Sequence, residues 1–156
     1  MQTYRIVVGV DGSEGGIRAL DWAVAEAARR GGTVHAVATW QWTQPDLGVD
    51  IRAEHQQIAE LSLDEAVATA RGPYPNVAVS TEAIPGPAGE VLTRAAADAD
   101  LLVLGSHGHG RLFHAVVGST AEACIRAAVC PVVVIPVPRV AEKSAERVAP
   151  ISSAVY

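Results

Sequence analysis

The sequence has few lysines, cysteines and aromatic residues. Lys143 is the single lysine of the 156 residues, and the net charge is −5. Because binding to a nucleic-acid backbone depends on clustered positive charge, this composition argues against a nucleic-acid partner. The two cysteines, Cys124 and Cys130, are too few for a disulfide framework and lack CxxC spacing. They are interpreted as buried, inert thiols.

Long apolar runs are also missing. No stretch approaches the ~20 apolar residues that span a membrane. The first residues, MQTYRIVVGVDGS, contain an apolar run too short for a secretory signal, and no small-residue cleavage site follows it. We therefore expect a cytoplasmic, soluble protein without a membrane partner.

What the sequence does contain is a regular alternation of apolar runs and helix-length segments. Apolar residues make up 49% of the chain, chiefly Ala and Val. The order βαβαβαβαβ predicts an α/β fold: a single doubly wound five-stranded parallel sheet, Rossmann-like, with helices on both faces. The five predicted strands are Tyr4–Val10, Val34–Thr39, Val77–Ala83, Leu101–Leu104 and Val132–Ile135.

Four helices are predicted between these strands. Ser13 is the expected N-cap of the first, which ends at Gly31-Gly32, and the second runs from about Asp50 to Arg71. The third starts near Pro87. The apolar face of the first helix is expected to carry Ile17, Leu20, Val24 and Ala27.

The fourth helix is predicted to begin at Ser119. Ser119 and Glu122 have the spacing of a capping box, in which each side chain bonds the backbone amide of the other residue. The helix is expected to continue through Ile125 and Val129.

The stretch VLGSHGHGRLFHAVVGSTAE, residues 103–122, contains four glycines, and the reason for so many positions without a side chain needs an explanation. Its glycines are Gly105, Gly108, Gly110 and Gly118. Either positive φ angles or something pressed against the main chain explains them. A strand end followed by a helix amino terminus is an arrangement that binds phosphate. In a doubly wound sheet this loop lies beside the loop VDGSEGG that follows the first strand.

Other glycine motifs do not fit. A P-loop needs a lysine after its last glycine, and the single lysine lies near the C-terminus. No GxGxxG is present. The GxSxG elbow of hydrolases fails around Ser106, because Leu104 replaces its first glycine.

Gly105, Gly108, Gly118 and Ser119 have the spacing G, two residues, G, nine residues, G and then Ser or Thr. With this signature, the opening VVGVDGS and the closing CPVVVIP, the chain resembles the nucleotide-binding subclass of universal stress proteins over about residues 3–137. The resemblance implies a fold like that of the adenine nucleotide alpha hydrolases. It also implies a nucleotide-binding domain over residues 1–138, followed by a polar tail over residues 139–156.

The resemblance implies that the cofactors are ATP and Mg²⁺. Asp11 would lie beside the ribose and triphosphate, close to the magnesium ion, and Ala38 would offer backbone groups to the adenine. Gly86 would border the base or sugar. Gly105 and Gly108 would face the ribose and phosphates, while Ser119 and Thr120 would donate to the outer phosphates. The other residues of the predicted nucleotide site are Gly12, His107, His109, Gly110, Arg111 and Gly118.

The residues leave three functions open. The leading one is an ATP-binding stress-response or signalling module, and the others are a slow ATPase or AMP/cAMP-binding regulator and a dimeric scaffold without nucleotide. No catalytic residue is assigned, because no general base stands out apart from Asp11 and the histidines. A zinc site at His107, His109 and His114 is disfavoured, because no matching Cys or carboxylate accompanies them. The resemblance also implies a homodimer joined through Val132–Ile135.

Overall fold

The computed structural model describes residues 2–41, 49–108 and 117–138. Strands and helices alternate in the predicted order. The strands are β1 (Arg5–Gly9), β2 (Thr33–Trp40), β3 (Ala78–Pro85), β4 (Leu101–Gly105) and β5 (Val132–Ile135). The helices are α1 (Glu14–Arg30), α2 (Val49–Arg71), α3 (Ala88–Ala95) and α4 (Ser119–Ala127).

The five strands form one sheet in the order β3-β2-β1-β4-β5, and every neighbouring pair is parallel. The prediction of a doubly wound parallel sheet is therefore confirmed. The direction of winding reverses between β1 and β4, which lie side by side at the centre. At such a reversal the loops after the two strands diverge and leave a crevice beyond the carboxyl ends.

The helices cover both faces of the sheet, as predicted. One core cluster contains Ile6 and Val8 of β1 together with side chains of α1 and α2. The other contains Val7 of β1 together with side chains of α3 and α4. Alternation along β1 thus sends apolar side chains to both faces, as is typical of a parallel strand buried on both sides.

The predicted ends of α1 are confirmed. The Ser13 side chain accepts a hydrogen bond from the Gly16 amide at 3.1 Å, and Gly31 ends the helix with a φ of 63°. Ile17 differs from the prediction, because it is 37% exposed. Gly15 and Gly16 are the buried residues of this first turn, so Ile17 lies at the flank of the stripe that faces the sheet.

The capping-box prediction for α4 is wrong. Ser119 is already the first helical residue, and the N-cap is Gly118, which makes no side-chain cap bond. A capping box needs the hydroxyl at the N-cap position, one residue earlier. The Glu122 carboxylate instead accepts from Arg126 at 2.9 Å. The helix ends at Ala127, and Val129 lies beyond it with 80% of its surface exposed.

Both cysteines are free, as predicted. Cys124 is fully buried, and burial raises the pKa of its thiol. Cys130 is partly buried, and desolvation likewise raises its pKa. Raised pKa values keep both sulfurs in the unreactive thiol form at neutral pH.

The two edges of the sheet differ in character. β5 consists of Val132, Val133, Val134 and Ile135, all half-buried. β3, at the opposite edge, exposes Ser80, Thr81 and Glu82. No helix within the described ranges is long and apolar enough to cross a membrane.

Candidate functional site

A cleft of about 220 Å³ opens beyond the carboxyl ends of β1 and β4. Three pieces of backbone border it: the β1–α1 turn, the start of the loop after β4, and the amino terminus of α4. This is the position that the winding reversal predicts for a ligand site.

The cleft has one apolar and one polar wall. The apolar wall is formed by Val37 of β2, Ala88 and Leu92 of α3, and Leu104 of β4; Thr39 of β2 also lines the cleft. The polar wall is formed by Asp11, Ser13, Ser106, His107, Ser119 and Thr120. A flat apolar group and an anionic group could therefore be held side by side.

Seven of the predicted site residues come together here. They are Asp11, Gly105, His107, Gly108, Gly118, Ser119 and Thr120. They come from loops about a hundred residues apart in sequence, which only the strand order brings together.

Three further predicted residues do not line the cleft. Gly12 has a φ of 77° in the turn after β1, and Gly86 has a φ of 134° after β3. The side chain of Ala38 is buried among core residues under α1 and α2, on the opposite face of the sheet. Its predicted contribution was a backbone contact, which stays a prediction. The remaining predicted residues, His109, Gly110 and Arg111, lie outside the described residues.

Sequence reasoning missed several lining residues. Val37 and Thr39 flank Ala38 and point to the cleft side of β2. Ser13, the N-cap of α1, and Gly16, in the first turn of this helix, also border the cleft. Their signal was present in VDGSEGG, where a hydroxyl and two further glycines follow the aspartate.

Asp11 is exposed to solvent, and its carboxylate lies between the start of α1 and the glycine loop, the residues after β4 that include Gly108. Its Oδ1 accepts from the Ser13 amide at 3.0 Å and from the Ser13 hydroxyl. A methyl group on Gly16 would lie 2.6 Å from Oδ1, and one on Gly108 would lie 2.6 Å from Oδ2. Both glycines therefore leave room for this carboxylate.

The absence of a side chain at Gly105 has a different reason. A methyl group there would lie 2.6 Å from the carbonyl carbon of Gly15 and 2.7 Å from its oxygen. A methyl group on Gly15 would lie 2.5 Å from the backbone oxygen of His107. The main chains of α1 and of the β4 loop thus pack directly on each other. Among the described glycines only Gly12, Gly31 and Gly86 have positive φ, so close approach explains Gly105 and Gly108.

Ser106 joins the cleft to the end of β5. It is 7% exposed, and its amide donates to the Ile135 carbonyl at 2.9 Å. Its carbonyl accepts from the Gly118 amide at 2.5 Å, and its hydroxyl accepts from the Val137 amide at 3.4 Å. The N-cap of α4 and the segment after β5 are therefore fixed to the same residue.

The described lining contains the Asp11 carboxylate but neither lysine nor arginine. In the described part of the chain, no three His, Cys, Asp or Glu side chains lie close enough together to hold a metal ion. Within the described lining, a cation beside Asp11 would therefore find no second carboxylate.

The strand order and the cleft at its reversal define a doubly wound α/β protein with a ligand site at the carboxyl ends of its central strands. The sequence also matches the universal stress protein family over residues 3–136, and the chain belongs to this family. The family resemblance read from the sequence is thereby confirmed. The nucleotide-binding subclass remains a prediction.

Individual relatives agree with this assignment. Universal stress protein Rv2005c of Mycobacterium tuberculosis is 38% identical over an alignment of 133 residues that covers 83% of this chain and 44% of the relative. Universal stress protein Rv2624c of the same organism is 37% identical over 129 residues, 83% of this chain and 47% of the relative. The chain thus spans about half the length of these relatives.

Solved structures show the same fold. A protein of the family from Burkholderia pseudomallei is 29% identical with a TM-score of 0.65, and the match covers 85% of this chain and 96% of that one. A universal stress protein in complex with cAMP is 22% identical with a TM-score of 0.61, covering 87% and 98% of the two chains. One from Archaeoglobus fulgidus in complex with dAMP is 22% identical with a TM-score of 0.54, covering 86% and 99%.

Proposed function

We propose that this protein binds ATP with Mg²⁺ in the cleft and acts as a nucleotide-dependent stress-response or signalling module in the cytoplasm. One observation carries the proposal: the β1–α1 turn, the glycine loop and the amino terminus of α4 converge on a single cleft at the winding reversal. Nucleotides bind at this position in doubly wound folds.

The two walls of the cleft suit the two ends of a nucleotide. Val37, Leu92 and Leu104 offer apolar surface for the adenine ring. At the other wall, α4 begins at Ser119 without a side-chain cap, and its positive dipole end and hydroxyls suit phosphate. Ser119 and Thr120 thereby keep their proposed role as donors to the outer phosphates.

Magnesium is part of the proposal because of Asp11. A carboxylate next to phosphates is tolerated mainly when a cation lies between them, and oxygen ligands are those that Mg²⁺ prefers. The donors present fit this ion, since Mg²⁺ is usually held by one or two carboxylates together with substrate phosphates and water. When bound, it would neutralise negative charge that no described lysine or arginine of the lining can offset.

The ligands of two structural neighbours support an adenine nucleotide. One neighbour is in complex with cAMP and another with dAMP. Because an apolar wall recognises the base and not the number of phosphates, AMP or cAMP is the second candidate ligand.

Thermal unfolding with ATP, ADP, AMP and cAMP, each with MgCl₂ or with EDTA, tests the proposal. A ligand at a hundredfold its Kd stabilises the folded state by about 2.7 kcal/mol. We expect the largest shift with ATP and MgCl₂ and a smaller one in EDTA. If no adenine nucleotide shifts the midpoint, nucleotide binding is wrong and the scaffold alternative gains support.

Slow ATP hydrolysis is tested separately. Asp11 and His107 are the titratable side chains of the described lining. If hydrolysis belongs to the function, phosphate release exceeds trace rates and is lost in Asp11→Ala. We expect no release above background in the wild-type protein.

We also propose a homodimer formed through β5. Its support is the apolar, half-buried edge strand Val132–Ile135 and the exposed Val129 just before it. Sedimentation should give twice the 16.2 kDa of one chain. Val134→Lys on this edge should give a monomer, whereas Ser80→Lys on the opposite edge should leave the dimer intact. A monomeric wild type contradicts the proposal.

A further inference from the structure

The Ser13 hydroxyl has its hydrogen-bonding capacity divided between two partners. It accepts from the Gly16 amide at 3.1 Å, which caps α1, and it donates to Oδ1 of Asp11. A hydroxyl has only one proton to donate. The cap therefore orients the hydroxyl so that its one proton points to Oδ1 of Asp11.

The Ser13 amide adds a second bond to the same oxygen, at 3.0 Å. With Oδ1 held by two donors of one residue, Oδ2 is directed at Gly108, where a methyl group would approach it to 2.6 Å. The carboxylate thus has one oxygen bonded to α1 and the other against the glycine loop.

We propose that Ser13 is a positioning residue that holds the Asp11 carboxylate in place for the cation of an incoming nucleotide. The inference rests on the proposed function, because the cation is the one that accompanies ATP. A carboxylate held in advance does not have to lose side-chain freedom when the cation arrives, which favours binding. The proposed role of Ser13 is exerted through Asp11.

The same geometry links Gly108 to Asp11, because a methyl group at position 108 would lie 2.6 Å from Oδ2. A methyl group at this position costs little if the carboxylate can rotate away and more if the carboxylate is held. Ser13 and Gly108 should therefore be coupled through Asp11. An N-cap that only starts α1 would produce no such coupling.

The first experiment is a double-mutant cycle in the protein without nucleotide. We expect Gly108→Ala to lower the thermal midpoint by about 2–4 °C. In a Ser13→Ala background the same change should cost less than half of that shift. Equal shifts in the two backgrounds would overturn the proposal.

Gly89→Ala is the matched control for this cycle. Its added methyl group would lie 2.8 Å from the Ala123 side chain, at the contact between α3 and α4. It should cost the same shift with Ser13 or Ala at position 13. If its cost also halves in the Ser13→Ala background, the effect at Gly108 is not specific and the proposal fails.

The second experiment measures ATP binding by calorimetry, with MgCl₂ and with EDTA. Loss of a residue that orients a metal ligand weakens metal affinity about 10- to 100-fold. We expect Ser13→Ala to weaken ATP binding at least about tenfold in MgCl₂ and to leave it unchanged in EDTA. Ser13→Thr, which keeps the hydroxyl, should restore the wild-type value.

The outcomes separate the two proposals. If Ser13→Ala weakens binding equally with and without Mg²⁺, Ser13 does not act through the cation and the inference is wrong. If wild-type protein binds no ATP under either condition, the proposed function fails, and the cycle alone then decides whether Ser13 holds Asp11.

Discussion

The glycines around the cleft form two pairs, and the two pairs lack side chains for different reasons. Gly105 and Gly15 lack side chains because two main chains touch, with an added methyl group on Gly105 only 2.6 Å from Gly15. Gly108 and Gly16 lack side chains because the Asp11 carboxylate lies between them, 2.6 Å from a methyl group on either one. The first pair builds the scaffold of the cleft, and the second makes room for its single described carboxylate.

The comparison shows that one glycine signature can combine two requirements. Gly105, the last residue of β4, and Gly108, in the loop that follows it, are three residues apart. The main chain of Gly15 can move only together with α1, whereas the side chain of Asp11 can rotate by itself. The two glycines should therefore respond differently to substitution, in size and in dependence on Asp11.

The largest effect is expected for Gly105→Ala. The added methyl group meets the main chain of Gly15, which can move only together with the first turn of α1. Overpacking of this kind should lower the free energy of unfolding by about 3 kcal/mol, as measured by urea denaturation. The cost should be the same in an Asp11→Ala background. A loss below about 1 kcal/mol would show that the two main chains separate easily.

A smaller effect that depends on Asp11 is expected for Gly108→Ala. With the carboxylate present it should lower the free energy of unfolding by about 1–2 kcal/mol. In the Asp11→Ala background most of this cost should disappear, giving a coupling energy of about 1 kcal/mol in the denaturation cycle. Simple additivity of the two substitutions would mean that the carboxylate is not what excludes a side chain at position 108.

The smallest effect is expected for Gly118→Ala. The nearest atom to its added methyl group is the Ser106 oxygen at 3.3 Å, so a shift of a few tenths of an ångström accommodates it. Replacing glycine by alanine at the N-cap adds a cost, and we expect about 0.5–1 kcal/mol in total by the same denaturation assay. A cost equal to that of Gly105→Ala would mean that a rigid main-chain contact excludes a side chain at Gly118, as it does at Gly105.

The fold could be predicted from the sequence because the central strands are apolar and the helices carry local signals. Ser13 and Gly31 mark the two ends of α1 through their side-chain and backbone chemistry. The position of the cleft followed from topology alone, since strand order decides which loops meet. The predicted start of α4 at Ser119 is confirmed, but the capping box is wrong, because it needs the hydroxyl at the N-cap position and Ser119 lies one residue after that position.

The sequence could not predict on which face of the sheet an individual side chain lies. A strand buried on both sides does not alternate apolar and polar residues, so the sequence did not show that Val37 and Thr39 face the cleft and Ala38 faces away. A glycine shows that a side chain is missing but not which neighbour approaches. The Gly15–Gly105 contact therefore required three-dimensional structure.

The two edge strands of the sheet differ in polarity, and this difference limits how many strands can be added by pairing with other copies of the chain. β5 presents valine and isoleucine, whereas β3 presents Ser80, Thr81 and the charge of Glu82 to solvent. Charged, polar borders resist the addition of strands. A contact between two β5 strands would leave a β3 strand at each end of the combined sheet, so assembly would stop at two copies and would not extend into a fibre.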